Sequence, residues 1–272
     1  MKPHSTVFAM VVLFFATPLF AQFDFPPTSA VSTALGGCSV ALTDEQAAVS
    51  IGAAAWSEDV VVELSALQPY YTKDLGIGSL NVVVPLGHGG LLAEFLHSGS
   101  SDYFEQRASL GYSLRLDKSL SLGAEFHYLH SGTSDGYYDP LRRVTFTLAM
   151  QYRHSETLSV GFKAYNPIAV FADDDFSPNV PAIFNMGASY RFVPSMLAFV
   201  EVEKNLYHSA SLHVGVEYVI DDSYYLRAGM STQPVAYAFG VGCTGSHFGC
   251  DIAVAYNTLL GITPSLSVHY LF

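Results

Sequence analysis

Eleven charged residues recur at alternating positions between apolar neighbours: Glu94, Glu125, Arg143, Arg153, Lys163, Arg191, Glu201, Glu203, Glu217, Arg227 and Asp251. On extended strands such spacing puts them on one face. A shared face of mixed sign can line a polar permeation path. It can also bind itself together, because a buried charge requires a partner. The mixture of signs favours mutual pairing. Glu217 and Arg227 flank Asp221-Asp222, which places them near-opposite on adjacent strands. Arg191 and Glu201 lie on a second hairpin of the same kind.

Other chemistry has less support. Asp173-Asp174-Asp175 has the oxygen ligands calcium uses, but no Asp-x-Asp-x-Asp-Gly spacing follows, so a solvated loop is the simpler reading. His127 and His130 are three apart, which on a strand separates them onto opposite faces. Serine and histidine are numerous, yet no Gly-x-Ser-x-Gly occurs. A non-enzymatic protein without metal or cofactor is expected. Cys38, Cys243 and Cys250 are an odd set and make no disulfide framework. Cys243 and Cys250 flank a turn, and either pair in an oxidising compartment or stay free.

The elements that must position these residues are strands. Leu120, Leu122, Ala124, Phe126 and Tyr128 alternate with Ser121, Gly123, Glu125 and His127. Val144, Phe146, Leu148 and Met150 alternate with Arg143, Thr145, Thr147 and Gln151. The pattern recurs to the end of the chain. Strands are expected near 60–70, 75–84, 90–97, 105–115, 119–130, 143–153, 158–166, 182–192, 196–204, 210–220, 223–231, 235–243, 247–256 and 265–272, about fourteen in all. One face is bulky and apolar; the other is rich in Gly, Ser, Ala and scattered charge. A water-soluble sandwich would turn a far more charged face outward.

Composition agrees. Charged residues are 13% of the chain while hydrophobic ones reach 50%, so a water-facing surface is poorly supplied. After the first two dozen residues no apolar run approaches the roughly 20 residues of a membrane helix. The fold class expected is all-β: a transmembrane antiparallel β-barrel, apolar side out. Turns expected on the outer side, such as 131–142 and 166–181, are mostly longer than those on the inner side, such as 116–118 and 221–222. Tyrosines near strand ends, Tyr112, Tyr152, Tyr165, Tyr190, Tyr218, Tyr224 and Tyr225 among them, suit interfacial girdles. The net charge of −12 argues against a nucleic-acid partner.

Lys2 and His4 precede the apolar stretch Val7–Phe15, and Pro18-Leu19-Phe20-Ala21 offers a cleavage region. Residues 1–21 are therefore expected to be a cleaved export signal, with residues 22–59 a separate N-terminal segment and 60–272 the barrel. Leu266, Val268, Tyr270 and Phe272 share one face of the last strand, which resembles the C-terminal signal read by barrel insertion machinery.

The N-terminal segment carries a family resemblance. Leu35-Gly36-Gly37 is followed by Val40-Ala41-Leu42-Thr43-Asp44-Glu45. This resembles the FadL-type barrels, especially the PorV/PorQ group of Bacteroidetes, with its Gly-Gly stretch and "VALADD" run. Ile51-Gly52-Ala53-Ala54-Ala55 lacks the Asn-Pro that follows in that group. The resemblance implies that Leu35, Gly36, Gly37, Val40, Ala41, Leu42, Asp44 and Glu45 belong to a plug inside the lumen. It implies an outer-membrane location in a Gram-negative cell, surrounded by lipid. It implies an accessory role in protein secretion or surface assembly, with type IX secretion proteins as partners. The alternative implied by FadL-type transporters is a channel for a hydrophobic small molecule.

The full-length protein purified in detergent is expected to give a strand-rich circular dichroism spectrum and a gel mobility that changes on boiling. A helical spectrum, or a protein soluble without detergent, would contradict the barrel.

Overall fold

A computed structural model describes residues 22–42, 57, 59–134, 139–170 and 180–272. The proposed export segment, Asp44, Glu45 and Asp173-Asp174-Asp175 lie outside the described residues. The chain forms β1 (Val61–Leu67), β2 (Ile77–Leu86), β3 (Gly89–Gly99), β4 (Tyr103–Arg115) and β5 (Leu120–Thr133). It continues through β6 (Leu141–Arg153), β7 (Leu158–Tyr165), β8 (Ile183–Val193), β9 (Met196–Asn205) and β10 (Ser211–Ile220). It ends with β11 (Tyr224–Thr232), β12 (Val235–Thr244), β13 (Phe248–Asn257) and β14 (Gly261–Leu271).

Each strand pairs antiparallel with its sequence neighbours, and β14 pairs with β1, closing a fourteen-strand barrel. Closure leaves no unpaired sheet edge, which is what a hydrocarbon surrounding demands of any β structure. Turns at the end where β1 begins, here the lower end, run from two to four residues. Those at the upper end run from two to seventeen, the longest being 166–182.

The outer surface is apolar. Leu110 is 58% exposed, Met186 62% and Phe239 68%. In the described strands the only charged side chains facing outward are Arg142 and Lys204, each one residue from an upper strand end. A surface like this far exceeds the apolar patches of water-soluble proteins and suits lipid. Tyr112, Tyr152, Tyr190, Tyr218, Tyr224 and Tyr270 are exposed near the lower ends of their strands, where an interfacial girdle would lie. Tyr165 and Tyr225 are not part of it: their strand parity turns them inward, and both are buried.

The last strand begins at Gly261, four residues before the expected 265. Proline donates no hydrogen bond, yet Pro264 lies inside this strand. It is tolerated because pairing with β1 ends at Ser265, so the missing N–H points past the end of β1. The Pro264 carbonyl on that side accepts from Gln68 N at 3.0 Å. Leu266, Val268, Tyr270 and Phe272 face outward, with the Tyr270 and Phe272 rings edge-to-face at 4.6 Å.

Residues 22–42 run inside the barrel. They include one short helix, α1 (Ala30–Ala34), whose N-cap Ser29 Oγ accepts from Val31 N at 3.3 Å. The helix ends at Gly36 and Gly37, with φ of 71° and 100°. A Cβ on Gly36 would also collide with the Met230 backbone. The wall makes room in turn. Gly161, Gly187, Gly215, Gly229 and Gly240 face inward from five strands, and each touches residues between Ala34 and Val40. Leu35, Val31, Cys38 and Leu42 pack against Ala149, Leu197 and Phe199 of the wall. The inner face is thus not uniformly polar; one sector is a packed core.

A Cβ at position 161 would overlap the Val40 carbonyl. Gly161→Val is therefore expected to displace the inner segment and cost about 1–3 kcal/mol, the usual range for overpacking. Limited proteolysis should then cut near residue 40 faster than in the wild type.

Candidate functional site

The inner segment is held by polar contacts as well as by packing. The Glu201 carboxylate accepts from Ser39 N at 2.6 Å, Val40 N at 3.0 Å and Ser39 Oγ at 3.2 Å. Asn185 Nδ2 donates to the same carboxylate at 2.9 Å and steadies it. His213 Nδ1 lies 2.6 Å from the Gly36 carbonyl. Ala30 N donates to Ser267 Oγ on β14 at 2.8 Å, and Gln151 Nε2 donates to the Leu42 carbonyl at 2.6 Å. At its start, Phe23 N donates to Glu105 and Asn205 Nδ2 donates to Asp24. Burial, and then the nearby Glu203, raise the Asp24 carboxyl above its ordinary range.

The remaining wall charges fall into two clusters and a rim. In the first cluster Arg227 Nε lies 2.6 Å from Glu217, its opposite on the neighbouring strand, and Nη1 lies 2.5 Å from Asp251. All three are buried, and His269 Nδ1 lies 3.9 Å from Asp251. The expected Glu217–Arg227 pair is present. The suggested pairing of Arg191 with Glu201 is not. The register sets Glu201 opposite Gly187 and Arg191 opposite Leu197, two layers lower. Arg191 instead donates to the Pro194 carbonyl at the lower turn. Arg153 also ends its strand at the lower rim and is exposed there, so it is not an interior charge. Arg143 faces inward near the upper end.

The second cluster borders a cavity of about 510 Å³ between the inner segment and the wall. Arg107 grips Glu94 with Nε and Nη2, both at 2.8 Å, and Ser109 Oγ donates to Glu94 at 3.0 Å. His127 Nδ1 is 2.8 Å from Ser109 Oγ, and Nε2 is 2.7 Å from Thr147 Oγ1. Ligand atoms of Glu94, Glu125 and His127 lie within 4.8 Å of one another, a grouping with the donors a metal ion could use. Glu125 and Lys163 complete the lining on this side. Opposite them the cavity is bounded by Phe23, Phe25, Pro26 and Pro27 of the inner segment. Phe23 packs with Tyr165, Leu129 and Val180 in a small core, and Arg107 lies over the Phe25 ring at 5.2 Å.

Arg107 and Glu63 were not singled out from sequence, yet both border this cavity. The signal existed: Arg107 alternates with Ser109 and Gly111, and Glu63 with Ser65, on the inward parity of their strands. Cys38, Cys243 and Cys250 are all free thiols, although Cys243 and Cys250 stand directly opposite each other on β12 and β13.

A closed fourteen-strand antiparallel barrel with an apolar exterior and an internal cavity is the fold of a transmembrane β-barrel. Solved structures that share this fold include a transporter and a channel. The Pseudomonas putida toluene transporter TodX matches with a TM-score of 0.70 at 12% identity, over 92% of this chain and 99% of that one. The CymD monoaromatic hydrocarbon channel matches with a TM-score of 0.66 at 12% identity, over 92% and 99%. A Pseudomonas aeruginosa FadL homologue gives 0.65 at 12% identity, over 90% and 98%. At this identity the likeness is one of fold. No model of a known family matches the chain, and no curated protein matches it in sequence.

Burial holds the Cys38 thiol well above its ordinary range, and the Glu201 charge adds to this, so Cys38 should resist alkylation. In a Cys243→Ser/Cys250→Ser background, Glu201→Ala should speed maleimide labelling of Cys38 about tenfold or more. It strands two buried N–H groups, at about 1–3 kcal/mol each. Unchanged labelling would mean that Glu201 does not hold the segment.

Proposed function

We propose that this chain is an outer-membrane channel for a small hydrophobic molecule, with residues 22–42 acting as a plug that must shift for passage. The observation that carries this reading is the cavity between that segment and the wall, bounded on one side by Phe23, Phe25, Pro26 and Pro27. A pocket with an apolar body and a few convergent polar groups suits a small organic ligand. The fold it sits in is shared with a toluene transporter and a monoaromatic hydrocarbon channel, which adds support by analogy. The plug's polar anchors run from Phe23 to Leu42, so its shift for passage has to break several of them. The resemblance of Leu35-Gly36-Gly37 and Val40-Ala41-Leu42 to the PorV/PorQ group had favoured an accessory role in secretion. The structural likenesses support the hydrocarbon channel better, and that reading takes precedence.

Cells carrying the protein in their outer membrane are expected to take up radiolabelled toluene several-fold faster than a deletion strain. Uptake equal in the two strains, together with retention of secreted cargo in the deletion strain, would instead favour the secretion role.

A further inference from the structure

We infer that the lumen cavity takes a small organic ammonium ion, its hydrocarbon body against Phe23 and Phe25 and its charged nitrogen at Glu125, beside Glu94. This rests on the channel reading and narrows its substrate class.

Glu125 is the starting point. It is 7% exposed, lines the cavity, and has no hydrogen bond or close ion pair among the described residues. Every other carboxylate around the cavity has a hydrogen-bonding partner. Glu94 has Arg107, Glu203 has Asn185, Glu63 has Ser65 and Asp24 has Asn205. These five carboxylates face only two fixed cations in the lining, Arg107 and Lys163. A buried carboxylate without a partner is costly, so the cavity is arranged to receive a cation or hydrogen-bond donor. An anionic lipid would meet net repulsion.

The geometry favours an ammonium group over a metal ion. Both Glu94 oxygens are held by Arg107, and both His127 ring nitrogens are engaged by hydroxyls. A metal ion bound by all three ligands would have to break these contacts and sit beside a guanidinium. An ammonium has three N–H donors and needs only the free Glu125 oxygens and an unused lone pair of Glu94, since a carboxylate offers about four acceptor sites. The site already stacks a cation on an aromatic ring, because Arg107 lies over Phe25.

Isothermal titration of the detergent-purified full chain would compare benzylammonium chloride, toluene and calcium chloride. Benzylammonium is expected to bind about tenfold or more tighter than toluene, the scale of one charge-assisted hydrogen bond. Glu125→Gln should remove most of that preference and Glu125→Asp should keep part of it, with folding of each variant checked by heat-shifted gel mobility. Equal binding of benzylammonium and toluene, or an unchanged preference in Glu125→Gln, would overturn the inference and leave the channel reading standing. Calcium that displaces benzylammonium would overturn it in favour of a metal site. Binding of neither organic ligand would overturn both readings.

Discussion

Everything in this molecule depends on backbone hydrogen bonds having no partner in hydrocarbon except each other. A sheet meets that condition only by closing. The pairing of β14 with β1 is therefore what allows an apolar exterior to exist. Closure has a second effect. Fourteen strands enclose more space than their own inward side chains fill. The interior must be packed, wetted or occupied, and the inward face shows all three needs. Glycines seat the inner segment, a charge cluster ties β10, β11 and β13 together, and a cavity remains between them.

The inner segment sits at the balance point of these demands. Its backbone leaves sheet pairing, so its amides need other acceptors. Glu201 supplies two of them with one carboxylate, and Asn185 holds that carboxylate in place. Charge-assisted bonds of this kind are worth about 1.5–3 kcal/mol each. The apolar contacts of Leu35 and Leu42 with Leu197 and Phe199 add to them. The segment is thus held firmly near residues 35–42. Nearer its start it is held by Phe23 N on Glu105, by Asn205 on Asp24 and by the packing of Phe23 with Leu129, Tyr165 and Val180, and that part borders the cavity.

The barrel was legible because a strand's period of two is written directly into side-chain type. Every strand was placed within a few residues, and Glu217 opposite Arg227 followed from a short turn between them. What escaped depended on depth along the barrel axis, which alternation does not encode. Arg191 and Glu201 share a parity and a hairpin, yet the register separates them. Arg153 has inward parity but lies at the rim. The inward glycines looked like a small, polar lumen lining; they are seats cut for another part of the chain. Their meaning lies in contacts with residues more than a hundred positions away, which no local pattern reports. Arg107 and Glu63 were visible in the alternation, but only the cavity gives them significance.

The bond from Ala30 to Ser267 joins residues 237 positions apart, across the seam where the last strand meets the first. Its acceptor does not exist in place until that last strand has arrived. The glycine seats are likewise spread over five strands that must already stand side by side. Contacts of such long sequence separation form late, because the loop must close before it is rewarded. Residues 22–42 can thus make their full set of wall contacts only with a barrel already closed, from β14 on one side to β7 on the other.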